Sequence, residues 1–142
     1  MIIISPYAKP LPNGGVNPKN YPYWKELLGL ISEPVVQVGV TDEQQLTADF
    51  RKNLTMCELE NLVQTCRTWI SCDSFFQHFC WDLGKPGVVI WGQSDPNIFG
   101  HPENINLLKN RDCLAENQFY WWEMTEYDKN KFVTPQEVLR HL

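Results

Sequence analysis

The 142-residue sequence has no long hydrophobic run and no cluster of basic residues. Its apolar stretches reach about five residues, against about 20 for a membrane-spanning helix, so we predict no membrane span. Twelve Lys and Arg against 17 Asp and Glu give a net charge of −5, which disfavours nucleic acid as a partner. The segment from Met1 to Pro6 lacks the basic start of a secretory signal. We therefore expect a cytoplasmic protein.

The sequence also lacks the common cysteine and glycine motifs. Its five cysteines include no C-x-x-C pair, which favours reduced, mostly buried thiols over disulfides or a zinc finger. Cys72, His78 and Cys80 are close in sequence, but His78 and Cys80 fall in an apolar helix pattern, so we expect no metal. No G-x-G-x-x-G or G-x-x-x-x-G-K-S/T motif occurs, which removes the usual sequence support for nicotinamide binding and P-loop hydrolysis.

Short apolar runs alternate with helical patterns along the chain. The predicted strands are Met1–Ser5, Val35–Val40, Thr68–Cys72, Gly87–Trp91 and, as a short fifth, Ile105–Leu108. The predicted helices are Tyr21–Ile31, Met56–Cys66, Phe75–Leu83 and Pro135–His141. The strands are short and apolar on both faces, and single helices separate them. This pattern indicates a parallel sheet with helices covering both faces. The predicted fold class is therefore α/β, a Rossmann-like, doubly wound and mainly parallel sheet.

The composition changes after Lys109, where aromatic and charged residues become frequent, including Trp121 and Trp122. We assign residues 1–110 to the Rossmann-like domain. Residues 111–142 form a predicted aromatic-rich, helical C-terminal extension that packs on that domain or on a partner. Acidic neighbours in this extension disfavour base stacking of a nucleic acid, so core or interface packing is the expectation.

Polar residues follow the predicted strands, where doubly wound sheets bind ligands. Ser74 precedes a helix whose free amides favour a phosphate, although Asp73 or Ser74 is equally explained as the N-cap. Lys19 is suited to a diphosphate, or it is an ordinary solvated loop lysine. Glu43 is placed to accept ribose hydroxyls, or it caps the start of a helix. The alternatives stay open at this point.

His78 follows Ser74 by one helical turn, which raises the hypothesis of a Ser-His hydrolase. No G-x-S-x-G elbow surrounds Ser74, and two residues of one helix do not supply the separately anchored base of acyl transfer. We therefore disfavour a Ser74 nucleophile.

Several of these segments resemble one family in order and spacing. Asp73-Ser-Phe-Phe-Gln-His78, Leu83-Gly-Lys-Pro86 and Gly92-Gln-Ser-Asp-Pro96 resemble the D-S/T-G-x-x-H, A-x-G-x-P and F-G-x-S/T-x-P blocks of ADP-heptose:lipopolysaccharide heptosyltransferases, glycosyltransferase family 9. Lys19-Asn-Tyr-Pro22 resembles the family's K-x-W-P start of a helix, and Val38-Gly-Val-Thr-Asp-Glu43 resembles its G-x-x-x-E turn.

The resemblance spans Ile2 to Pro102 and implies the C-terminal, nucleotide-sugar donor half of a GT-B fold. It implies that Lys19 contacts donor phosphate, Glu43 the ribose or sugar, and Asp73 with Ser74 the diphosphate end. The donor-binding residues that the matched motifs imply are Lys19, Glu43, Asp73, Ser74, His78 and Gly92.

Two departures from the family shape the functional expectation. Phe75 stands where the family has a glycine that lets the backbone approach the phosphates. The family's acceptor domain and catalytic carboxylate have no counterpart in this sequence, so no catalytic residue is assigned. We expect binding of a nucleotide or a nucleotide-sugar such as ADP-heptose, with transfer only if a homodimer or a separate acceptor-domain chain completes the enzyme. The alternative is a non-catalytic interaction protein that retains the fold without a working donor site.

Overall fold

The computed structural model describes residues 1–119 and 121–142, which form a six-stranded sheet with helices on both faces. The strands are β1 Ile2–Ser5, β2 Val35–Gly39, β3 Asp49–Lys52, β4 Thr68–Cys72, β5 Val88–Trp91 and β6 Ile105–Leu108. The α-helices are α1 Trp24–Leu30, α2 Met56–Thr65, α3 Phe75–Asp82, α4 Pro96–Phe99 and α5 Pro135–Leu139. Short 3-10 helices follow at Arg111–Cys113, Trp122–Met124 and Lys129–Lys131.

The strand order is β3-β2-β1-β4-β5-β6, and each pairing of neighbouring strands is parallel. Ile3 of β1 is in register with Val36 of β2 on one side and Trp69 of β4 on the other. This is the order of a doubly wound Rossmann-like sheet, in which the chain winds first to one side of β1 and then to the other. The predicted fold class is confirmed.

The core lies in two layers because successive side chains of a strand point to opposite faces of the sheet. Ile2 and Ile4 pack with Leu27 of α1 and Val138 of α5 on one face. Ile3 packs on the other face, with residues of α2 and α3. Burial of each such side chain contributes about 1.5–3 kcal/mol to stability, which explains why the central strands are apolar on both faces.

The largest differences from the sequence-based prediction are two missed elements, β3 and α4, and the start of α1. Strand β3 was not predicted because Asp49, Arg51 and Lys52 are exposed at the edge of the sheet and carry no apolar pattern. Helix α1 begins at Trp24 rather than Tyr21, since the Tyr21 ring packs in the core while its hydroxyl donates to the Val133 carbonyl at 3.0 Å. The one-turn helix α4 is too short for a periodic signal.

The C-terminal residues contact the remainder of the described chain through both apolar and polar groups. Phe132, Val133 and Val138 belong to the core layer of α1. The Tyr127 hydroxyl donates to the carbonyl of Asn20 at 3.0 Å. The boundary that we place at residue 110 stays a prediction. Within the described residues, the helices are all too short or too polar to span a membrane.

Candidate functional site

A cleft opens at the carboxyl ends of β1, β2 and β4, where the winding of the chain changes direction. Ligands of doubly wound sheets bind at this switch point. The cleft has a volume of about 770 Å³, which is within the range of small-molecule sites. Four residues predicted from the sequence line it together: Lys19, Glu43, Asp73 and Ser74. The fold therefore brings together side chains that are more than 50 positions apart in the sequence.

Lys19 and Asp73 form an ion pair inside the cleft. The Lys19 ammonium lies 2.8 Å from Oδ2 of Asp73, whose side chain is only 5% exposed. Oδ1 of the same carboxylate accepts a hydrogen bond from Nε2 of the buried Gln77 at 2.8 Å. A carboxylate held on both oxygens has a fixed orientation, and it fixes the position of the ammonium in turn. Lys19 is therefore not an ordinary solvated lysine.

Two asparagines hold the loop that carries Lys19. The side chain of Asn17 accepts from the Lys19 amide at 3.0 Å and donates to the Lys9 carbonyl at 2.8 Å. The side chain of Asn20 accepts from the Ala8 amide at 2.9 Å. These contacts replace regular secondary structure in a segment whose prolines and glycines prevent it. They give a long loop a defined position beside β1.

Ser74 occupies the N-cap position of α3, but its side chain makes no capping hydrogen bond to any described residue. Its hydroxyl oxygen is buried and has no hydrogen-bond partner within residues 1–119 and 121–142. A buried hydroxyl without a partner loses free energy that a ligand atom or a water restores. The structure therefore does not support the alternative in which the Ser74 side chain caps α3.

Glu43 turns its carboxylate toward the backbone at the end of β2. A Cβ atom on Gly39 would lie 1.9 Å from Oε2 of Glu43, so this approach requires a glycine. Oε2 is buried without a hydrogen-bond partner in the described part of the chain. Burial raises the pKa of Glu43 to about 7, although a backbone hydrogen bond with Val40 acts in the opposite direction. A carboxyl of this kind changes its charge near neutral pH.

His78 and Gly92, the other two predicted residues, lie outside the group of described residues that lines the cleft. Nδ1 of His78 is 2.8 Å from Nε2 of His101. Gly92 packs against the ring of Phe132, since a Cβ atom there would lie 2.5 Å from that ring. Their assignment to donor binding stays a prediction.

Residues of the C-terminal extension form part of the cleft wall, which the sequence analysis missed. Phe119, Trp121 and Trp122 line the cleft. The Lys19 ammonium lies 5.0 Å from the Trp122 ring centroid and 5.8 Å from that of Phe99, within cation–π range. The aromatic composition after residue 109 was the available signal, but it carries no information on which part of the fold those rings contact.

Phe75, the departure from the family motif, also lines the cleft and is 60% exposed. Its ring stacks on Phe79 with centroids 5.7 Å apart. A large ring therefore stands directly after Ser74, where the resemblance implies a phosphate. Any phosphate near Ser74 has to approach beside this ring.

The fold is a Rossmann-like, doubly wound parallel sheet of the kind that forms one half of a GT-B fold. Among solved structures, the chain is similar to E. coli heptosyltransferase WaaC with ADP, with a TM-score of 0.68 and 13% identity over 98% of this chain and 42% of that chain. It is similar to E. coli ADP-heptose lps heptosyltransferase II, with a TM-score of 0.65 and 20% identity over 99% and 44%.

A third similar structure is the dodecameric iron-containing heptosyltransferase TibC in complex with ADP-D-beta-D-heptose. Its TM-score is 0.60, with 15% identity over 97% of this chain and 36% of that chain. The chain thus spans about two-fifths of the length of these structures. Comparison with protein-family profiles and with curated sequences finds no match. At these identities the likeness concerns the fold, and it confirms the resemblance to one half of a GT-B heptosyltransferase.

Proposed function

We propose that the cleft binds a nucleotide or a nucleotide-sugar of the ADP-heptose class. The observation that carries this proposal is the Lys19–Asp73 pair, held in a cleft at the switch point of the sheet. A lysine ammonium is a common point charge for phosphate groups. Two of the similar structures are complexes with ADP and with ADP-D-beta-D-heptose, and this supports the choice of ligand.

The ammonium of Lys19 has to serve both Asp73 and an incoming phosphate. Lysine carries three N–H donors, so Lys19 is able to keep its bond to Oδ2 of Asp73 and donate to a phosphate oxygen. The carboxylate then positions the lysine, and its negative charge lowers affinity for the diphosphate. We therefore expect weak binding, with the ribose hydroxyls near Glu43 and the diphosphate near Lys19 and Ser74.

Sugar transfer requires more than this donor site. An inverting transfer needs a base within hydrogen-bond reach of the acceptor hydroxyl and positive groups that stabilise the departing diphosphate. Lys19 supplies the second requirement. We propose that a homodimer or a separate acceptor-domain chain supplies the base, and that this chain transfers no sugar alone. We place this transfer in the cytoplasm and in lipopolysaccharide biosynthesis.

A second candidate is an interaction protein that has kept the fold and lost the donor site. Two observations favour it: Asp73 already pairs with Lys19, and the exposed ring of Phe75 lines the cleft directly after Ser74. The exposed rings of Phe119 and Trp121 would then contact a protein partner.

Thermal unfolding with and without ADP separates the two candidates. Ligand at about 100 times its dissociation constant adds about 2.7 kcal/mol of stability, which raises the melting temperature by several degrees. Lys19→Ala should remove most of this ADP-induced rise, measured against the variant's own ligand-free value. Lys25→Ala, an exposed lysine of α1, is the matched control and should keep the rise. A wild-type protein without any rise in millimolar ADP contradicts donor binding and favours the interaction protein.

A further inference from the structure

Two tryptophans of the C-terminal extension, Trp121 and Trp122, stand at the wall of the cleft. The Trp121 side chain is 72% exposed. A monomeric protein loses free energy by leaving such a large apolar ring in water, so exposed rings at a cleft are typical of ligand or partner contacts. We call this pair the tail tryptophans.

The backbone around the tail tryptophans is held in place. The carbonyls of Trp121 and Trp122 accept from the amides of Met124 and Thr125, both at 3.0 Å, in a tight turn. The side chain of the buried Gln93 donates to the Glu126 carbonyl at 2.7 Å, and Gln118 donates to the Gln93 carbonyl at 2.9 Å. Gln93 thus fastens the segment on both sides of the tryptophans.

The polar groups beside the tail tryptophans are those of the Asp73 end of the cleft. The Trp122 ring covers Lys19, which pairs with Asp73, and the unpartnered hydroxyl of Ser74 follows directly. A sugar ring presents C–H groups on its face and hydroxyls around its edge. An aromatic ring next to a carboxylate, an ammonium and a hydroxyl matches both kinds of surface, since binding sites combine apolar walls with a few convergent polar groups.

The order of the strands separates this end of the cleft from the Glu43 end. Glu43 follows β2 and Asp73 follows β4, with β1 between them. Two strand spacings of about 4.8 Å put the two strand ends roughly 10 Å apart. A nucleotide-sugar also has two ends, a nucleoside and a sugar, joined by its diphosphate. A nucleoside at Glu43 and a diphosphate at Lys19 leave the sugar at the tail tryptophans.

We infer that the tail tryptophans bind the sugar part of the nucleotide-sugar, with Trp121 as the exposed stacking face. This inference rests on the proposed function and adds a specificity-determining role for the C-terminal extension. It predicts that the extension distinguishes a nucleotide-sugar from the bare nucleotide, while Lys19 acts on both.

The test compares two ligands on the same variants. Dissociation constants for ADP and for ADP-heptose are measured by titration calorimetry on the wild type, Trp121→Ala and Trp121→Phe. Loss of one stacked ring weakens binding about tenfold. We expect this loss for ADP-heptose on Trp121→Ala, an unchanged ADP constant, and recovery of most of the affinity in Trp121→Phe. Trp81→Ala is the matched control, because Trp81 stacks on His101 outside the set of described cleft residues.

The outcomes separate this inference from the proposed function. If the wild type binds ADP and Trp121→Ala leaves the ADP-heptose constant unchanged, the sugar contact is wrong and the donor site stands. An equal loss for both ligands overturns the inference by placing the indole at the nucleoside or the diphosphate. If the wild type binds neither ligand, both proposals fail. The Trp121 side chain is mostly exposed, so its variants should fold, and their melting temperatures check this.

Discussion

At the scale of single residues, Glu43 is the group whose chemistry depends most on its surroundings. Gly39 has no side chain, and the Glu43 carboxylate occupies the space that a Cβ atom would fill. Because this carboxyl is buried, its pKa is raised and it stays protonated up to about pH 7. An incoming ribose hydroxyl would give the unpartnered Oε2 the hydrogen bond that it lacks.

The Glu43 side chain predicts a pH dependence of stability. Its pKa is raised from 4.5 to about 7, so between these values the folded state holds a proton that the unfolded state has released. Raising the pH through this window favours the unfolded state, and the stabilising contribution of the protonated carboxyl is lost by about pH 7. Glu43→Gln should therefore gain stability relative to the wild type as the pH rises from 5 to 8.

Urea unfolding of both proteins at several pH values measures this difference. The comparison with Glu43→Gln isolates one group, because the lowered pKa of His78 makes an opposite contribution in both proteins. Gly39→Ala is a second check, since a methyl group there displaces the flexible end of Glu43 and should reduce the pH dependence. Parallel stability curves for the wild type and Glu43→Gln would contradict the burial of this carboxyl.

At the scale of elements, the start of α2 depends on one reciprocal cap. The Thr55 hydroxyl accepts from the Glu58 amide, and the Glu58 carboxylate accepts from the Thr55 amide at 2.8 Å. Thr55→Ala removes the first of these bonds and should lower the free energy of unfolding by about 1 kcal/mol. Chemical denaturation measures this loss. Ser32→Ala, at an exposed hydroxyl between α1 and β2, should change stability by less than about 0.5 kcal/mol.

The elements predicted correctly from the sequence are those whose signal is local. The central strands β1, β4 and β5 are apolar on both faces, and the Thr55–Glu58 box marks the start of a helix within four residues. Strand β3 is charged and, within residues 1–119 and 121–142, pairs with β2 alone. Its pairing depends on where β2 lies in the fold, and a short stretch of sequence carries no information about that position.

At the scale of the whole molecule, the topology explains how much of the site was predictable. Parallel strands end at one edge of the sheet, so the sequence alone predicts that Lys19, Glu43, Asp73 and Ser74 lie close together. The ion pair between Lys19 and Asp73 joins residues that are 54 positions apart in the sequence. The contact between Lys19 and the Trp122 ring joins residues that are 103 positions apart. Contacts of this kind follow from the packing of the complete chain.

The central claim is that the cleft between the ends of β1, β2 and β4 binds the nucleotide. Titration of ADP into isotopically labelled protein, followed by amide chemical shifts in solution NMR, locates the ligand residue by residue. The account predicts progressive shifts at Gly39, Glu43 and Ser74, and unchanged signals at Arg67 and Gly87, which precede β4 and β5 at the opposite edge of the sheet. Unchanged signals at the cleft in millimolar ADP, or shifts concentrated at Arg67 and Gly87, would contradict it.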